Sequence, residues 1–174
     1  VRVGQAIADA LNARGIPAVH ETSLIDLGNY NDAYPRMAGL AEDWLARYPS
    51  IQMVLDVHRD SLETDDGTQL ALRADVDGEA CAKLLLVMGS NGSGLEHPGW
   101  RQNLANAARL QALCEQRTPG LMRDLLLRAS RYNQHLTPRS MLLEVGTAGN
   151  SLEEALRSAD IFSQALADCL LGKA

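Results

Sequence analysis

Short, nearly continuous apolar runs alternate along this chain with longer segments in which apolar residues recur at every third or fourth position. Ile51 to Val57, broken only by Gln52 and Asp56, reads as a strand covered on both faces; Leu84 to Met88 is another buried strand and Met141 to Val145 a further one, all too short to be whole helices. The helical segments are equally legible. Val3, Ile7, Ala10 and Leu11 share one face, and Gly15 stops that helix. Met37, Leu40, Ala41, Trp44, Leu45 and Tyr48 mark a second helix, and Leu104, Ala107, Leu110 and Leu113 a third. Ser151 and Glu154 make a capping box for a last helix, which faces inward through Leu152, Ala155, Leu156, Ala159, Leu166 and Leu170. Further strands are expected at Ile16 to Val19, ending on His20, at Leu125 to Leu127 and, weakly, at Gln69 to Arg73. Asp26 to Asp32 reads as a loop and Leu62 to Gly78 as a polar, acidic surface excursion. Helices alternating with buried strands predict an α/β layered fold, a mostly parallel sheet flanked by helices, in a single domain.

With 174 residues, 46% of them hydrophobic, the chain can bury one ordinary core. A net charge of -6 without any basic run disfavours a nucleic-acid backbone as partner. No apolar stretch approaches the roughly 18 residues of a spanning helix, and no signal peptide is seen. Cys81, Cys114 and Cys169 are odd in number, far apart and without a Cys-x-x-Cys pair, so they read as small buried hydrophobes. The chain opens on Val1 directly into a helical pattern and is expected to belong to something longer.

The fold supplies a test for function, because ligands in open α/β sheets bind outside the carboxyl ends of the strands. Those ends carry His20, His58 and Glu144. Two imidazoles and a carboxylate on one edge suit a divalent metal with an acid/base group. Glu144 interrupts an apolar run, and a buried carboxylate needs a compensating partner. A metal and its water is one such partner; an arginine such as Arg36 or Arg128 is the plainer alternative. His97 before Pro98 reads as a capping or loop residue, and His135 as an exposed one. Gly89 to Gly94 lacks the Lys-Ser/Thr of a phosphate loop and reads as a plain loop.

Five segments then occur in order: Asn29-Tyr-Asn-Asp-Ala-Tyr34, Asp56-Val-His-Arg-Asp60, His97-Pro-Gly-Trp100, Arg131-Tyr-Asn-Gln134 and Leu143-Glu-Val-Gly-Thr147. Together they resemble the stage II sporulation protein P family of Gram-positive spore formers, over nearly the whole chain. The resemblance implies a fold like that of the zinc N-acetylmuramoyl-L-alanine amidases and cleavage between the glycan lactyl group and the stem peptide, with cross-link cutting in some members. It implies that His58 is a ligand of Zn2+ and Glu144 the catalytic acid/base. The family's other ligands lie in a His-x-His-x-x-Glu segment on an earlier strand that this sequence lacks, so weak or absent zinc binding and little activity are expected of this chain alone. His20 matches a family position, and Arg36, Asn133 and Gln134 fall in family-like segments; all four are candidate substrate-groove residues. The implied partners are peptidoglycan and other sporulation wall-remodelling proteins, at the cell envelope outside the cytoplasm, with the full-length protein anchored to the membrane. A non-cutting wall- or partner-binding domain and another α/β metal hydrolase, such as a deacetylase, are the competing classes.

Overall fold

The structure, a computed structural model, describes residues 1–24 and 32–173. The expected loop from Asp26 and the front of the Asn29–Tyr34 segment thus lie outside the described residues.

Among the described residues the order is α1 (Arg2–Ala13), α2 (Ala33–Arg47), β1 (Leu55–Asp60), β2 (Arg73–Val76), β3 (Glu79–Ala82), β4 (Leu84–Gly89), α3 (Trp100–Arg117), β5 (Leu126–Arg128), β6 (Met141–Thr147) and α4 (Leu152–Leu170). Strands β1-β6-β4-β5 form one sheet, in which β1·β6 and β4·β5 are parallel and β4·β6 antiparallel. β2 and β3 form a separate antiparallel hairpin.

Period-two alternation gives the sheet two unlike faces. Leu84, Leu86, Met88, Met141, Leu143 and Val145 point to one side, where Ile7 and Leu11 of α1, Ala107 and Leu110 of α3, and Ala159, Phe162 and Leu166 of α4 complete the main core. Leu85, Val87 and Leu142 point to the other side and make a small satellite cluster with Leu126 and Tyr132. Among the described residues helical burial is therefore concentrated on one face, and the second face is more thinly covered.

The capping box is formed as expected. Ser151 Oγ accepts from the Glu154 backbone N–H at 3.2 Å, and the Glu154 carboxylate accepts from the Ser151 N–H at 3.1 Å. The same carboxylate takes Arg73 at 2.6 Å and Asn150 at 2.7 Å, tying the hairpin to α4. Removing the cap in Ser151→Ala is expected to cost about 1 kcal/mol, read as a lower midpoint at unchanged slope in urea.

Three local expectations are corrected. Ile16 to Val19 forms no strand: the Asn12 side chain occupies both backbone groups of Ala18, donating to its carbonyl at 2.9 Å and accepting from its N–H at 3.1 Å. The strand expected at Ile51 to Val57 begins at Leu55 and runs through His58 to Asp60. It lies at the sheet edge and is only partly buried, so it is not covered on both faces. Gln69 contributes an isolated bridge to Glu63, and the ladder starts at Arg73. Its turn, Asp77-Gly78, has φ values of 54° and 82°, the left-handed pair that a tight hairpin requires.

Candidate active site

His58 and Glu144 are register partners across the parallel β1·β6 ladder, so their side chains stand side by side on the open face. The alternation that sends Val57 and Leu143 into the core dictates this. A bulge between His58 and Asp60 turns the end of β1, a device common beside functional sites. The two side chains line a cavity of about 320 Å³, walled by Asp60, Arg123, Arg128, Tyr34 and Tyr132 and floored by Leu85, Val87 and Leu142.

The electrostatics follow from that placement. His58 Nε2 sits 3.0 Å from Asp56 Oδ1. That hydrogen bond holds the imidazole pKa above its ordinary 6.5, outweighing the opposing effect of burial. Burial pushes Glu144 from 4.5 up to about 7; Asp60 and Asp56 add to the rise, and His58 and Arg123 oppose it. Glu144 Oε2 is sealed from solvent without a hydrogen-bond partner among the described residues. The alternative ion pair is not formed: Arg36 lies 3.5 Å from Asp32, and Arg128 lines the cavity without pairing to Glu144. Arg123 instead donates to Asp60 Oδ2 at 2.6 Å.

The pair thus sits on a sheet face, inside the strands, rather than outside their ends. His58 also borders a second cavity, of about 260 Å³, shared with His20 and the first residues of α1 and α4. His20 Nδ1 lies 3.2 Å from Gln5 Oε1 there. Asn133 donates to the Tyr34 carbonyl at 2.8 Å. Gln134 is 1% exposed, accepts from the Gly89 N–H and donates to the Val87 carbonyl, both at 2.8 Å. Those two amides face backbone, so what they do for the cavity is fix its walls. His97 lies in the loop before α3, its carbonyl accepting from the Trp100 N–H at 3.2 Å and its ring buried with neither nitrogen partnered among the described residues; His135 is half-buried rather than exposed, 6.5 Å away between ring centroids. Cys81 and Cys114 are buried and Cys169 half-buried.

Sequence reasoning gives no role to Asp56, Asp60, Arg123, Tyr34 or Tyr132. The first two alternate with His58 at period two within Asp56-Val-His-Arg-Asp60, which is signal enough. Arg123 carries no local signal, since only tertiary folding brings it to Asp60.

Among the described residues, no three His, Cys, Asp or Glu side chains converge as a metal site. The described residues therefore form no complete metal-ligand set, and what they bring together is one imidazole and one carboxyl group, His58 and Glu144. The unpartnered Glu144 oxygen is the atom that calls for a cation or a proton beside it.

This fold is amidase-like. The chain is similar to the N-acetylmuramoyl-L-alanine amidase AmiC2 of Nostoc punctiforme with a TM-score of 0.56, at 14% identity, over 98% of this chain and 79% of that one. The Stage II sporulation protein P (SpoIIP) family matches residues 1–167, and this chain belongs to that family. It is 32% identical over 177 aligned residues to Stage II sporulation protein P of Bacillus subtilis (strain 168), covering 93% of this chain and 42% of that relative. No described helix is long and apolar enough to cross a membrane.

Proposed function

We propose that this domain is the catalytic part of a zinc-dependent peptidoglycan hydrolase of the cell envelope, an N-acetylmuramoyl-L-alanine amidase acting in sporulation. The observation that carries the reading is Glu144: a carboxyl group opposite His58 in register, one oxygen without a partner, titrating at about 7. A general acid/base works best with its pKa near the working pH. Family membership and the amidase-like fold support the same chemistry.

In this reading Glu144 takes the proton of the attacking water and passes it to the departing amine. Asp56 holds the His58 ring by its hydrogen bond, which fixes the direction in which the other nitrogen points. Asp60, itself held by Arg123, raises the proton affinity of Glu144. His58 supplies one zinc ligand, with the rest coming from beyond the described residues. The chemistry zinc supplies when bound is polarisation of the scissile carbonyl and acidification of the attacking water to a pKa of roughly 7.

The incomplete ligand set among the described residues favours a second reading, a wall- or partner-binding domain on the same fold. Muropeptide analysis of purified sacculi treated with the full-length protein separates the classes. The amidase reading expects zinc to copurify and free stem peptides to appear. New free amines on the glycan point to a deacetylase, and intact sacculi to a binder.

A further inference from the structure

The backbone beside the cavity is strained at two consecutive non-glycine residues. Tyr132 has φ 50° and Asn133 φ 57°, both in the left-handed region. For a bulky residue such as tyrosine that conformation costs on the order of 1–3 kcal/mol and persists only where the surroundings enforce it.

They do enforce it here. The next residue, Gln134, is clamped onto β4 by its own side chain, and Asn103 Nδ2 reaches the carbonyls of Gln134, Thr137 and Ser140 at 2.7, 3.1 and 3.2 Å. On the other side, a Cβ at Gly89 would meet Ser130 O at 2.5 Å and Arg131 O at 2.7 Å, so β4 and the turn touch backbone to backbone. The turn is braced from both sides, and its product is the placement of the Tyr132 ring on the cavity wall, 5.9 Å from the ring of Tyr34 and tilted by 56°.

Arg128 completes that wall. The other basic groups around the cavity have partners: Arg123 has Asp60, and His58 has Asp56. The Arg128 guanidinium forms no ion pair or hydrogen bond among the described residues, and the residue is exposed. The ladder to Gly89 nonetheless fixes its backbone, as does the bond from Ser90 Oγ to its carbonyl at 2.9 Å. An anchored residue therefore presents an unpaired planar fork to a cavity whose far wall is Glu144. That fork matches a carboxylate in a bidentate way, and tilted aromatic rings offer apolar faces for an aliphatic chain.

We propose that Arg128 and the Tyr34–Tyr132 pair form the subsite for a carboxylate-bearing peptide, the guanidinium taking the carboxylate and the rings packing on the chain between it and the scissile amide. The assignment rests on the proposed hydrolase reading. It makes Arg128 a specificity residue that distinguishes free-acid from amidated peptides.

The test uses full-length protein and two probes, a muramoyl tripeptide with free carboxylates and the same compound with those carboxylates amidated. Arg128→Gln is expected to lower kcat/KM for the free acid at least about tenfold, or about 1.4 kcal/mol, through KM, and to leave the amidated compound nearly unchanged. Arg128→Lys keeps charge without the fork and falls between. In parallel, binding of both tripeptides to Glu144→Gln is measured with and without Arg128→Gln. Loss of acid affinity with retained amide affinity supports the subsite even if the wild-type protein cuts neither compound, in which case only the hydrolase reading falls. Equal effects on both probes, no effect on either, or no measurable binding of the acid overturns the subsite, and cleavage by the wild-type protein then leaves the hydrolase reading standing.

Discussion

Glu144→Gln is expected to abolish release of stem peptides and, at the same time, to make the fold more stable above neutral pH. Losing a general acid/base costs typically 10²–10⁴-fold in rate, and glutamine, the same size, keeps the packing against Leu85 and Leu142 while removing the proton. The stability effect follows from the titration. Glu144 binds its proton with a pKa of about 7 in the folded protein, against an ordinary 4.5 in the unfolded chain. Below pH 4.5 both states hold the proton and the variant matches the parent. Between 4.5 and 7 the unfolded chain releases its proton and the folded chain does not, so the parent loses stability as pH rises through this window. Above 7 it carries a half-buried charge that glutamine lacks. Each pKa unit corresponds to about 1.4 kcal/mol; the side chain is partly solvated, which reduces the net effect to on the order of 1–2 kcal/mol. For a domain of this size, that amounts to roughly 2–8 °C in Tm. Melts of metal-free protein at pH 4 and pH 8, run beside the muropeptide assay, check both halves. A gain of equal size at the two pH values would remove the account of the raised pKa, and retained turnover would remove Glu144 from the chemistry.

The outcome at Glu144 shows what sequence could and could not deliver. A charged residue within Met141 to Val145 is visible as an anomaly, and the run is correctly a strand. What the run does not reveal is that it alternates, since Leu142 and Leu143 are both leucine while facing different environments. The core face and the thinly covered face become distinguishable only once α1, α3 and α4 gather on one side. Helices are legible because period and caps are local properties, as at Ser151 and Glu154. Strand ends are not, because a ladder is decided by its neighbour: Asn12 captures Ala18 and removes one expected strand. The hairpin at Asp77-Gly78 has an adequate turn signal, hidden by the polar composition around it. His58 and Glu144 can be found as residues, but their pairing in register is a property of the β1·β6 ladder alone.

The clearest case of function support without sequence signal is Asn103, and its loss carries the largest expected stability effect. It lies in the helical pattern of α3, flanked by Gln102 and Leu104, where an asparagine normally reads as a solvated position. It is 0% exposed, and one amide nitrogen serves three carbonyls of the segment from Gln134 to Ser140. Asn103→Ala removes that donor: the Thr137 carbonyl keeps the Ser140 N–H at 3.2 Å, whereas the buried Gln134 and Ser140 carbonyls lose their side-chain partner. Each buried unsatisfied group costs about 1–3 kcal/mol, and shared geometry makes the terms less than additive, so a total of about 3–4 kcal/mol is expected in urea unfolding. Asn103→Asp should cost at least as much, because it sets a carboxylate against carbonyl oxygens. Asn106→Ala is the internal standard. Asn106 also reaches this segment, donating to the Pro138 carbonyl at 3.0 Å, but from an exposed position where water replaces it, so its loss is expected within about 1 kcal/mol. The same framework holds Tyr132 in its left-handed conformation, so a folded Asn103→Ala protein at low temperature should bind peptide more weakly, with faster hydrogen exchange at the amides following Tyr132. If Asn103→Ala and Asn106→Ala cost the same, the segment holds itself through its own turns, and the strain at Tyr132 has a cause other than this brace.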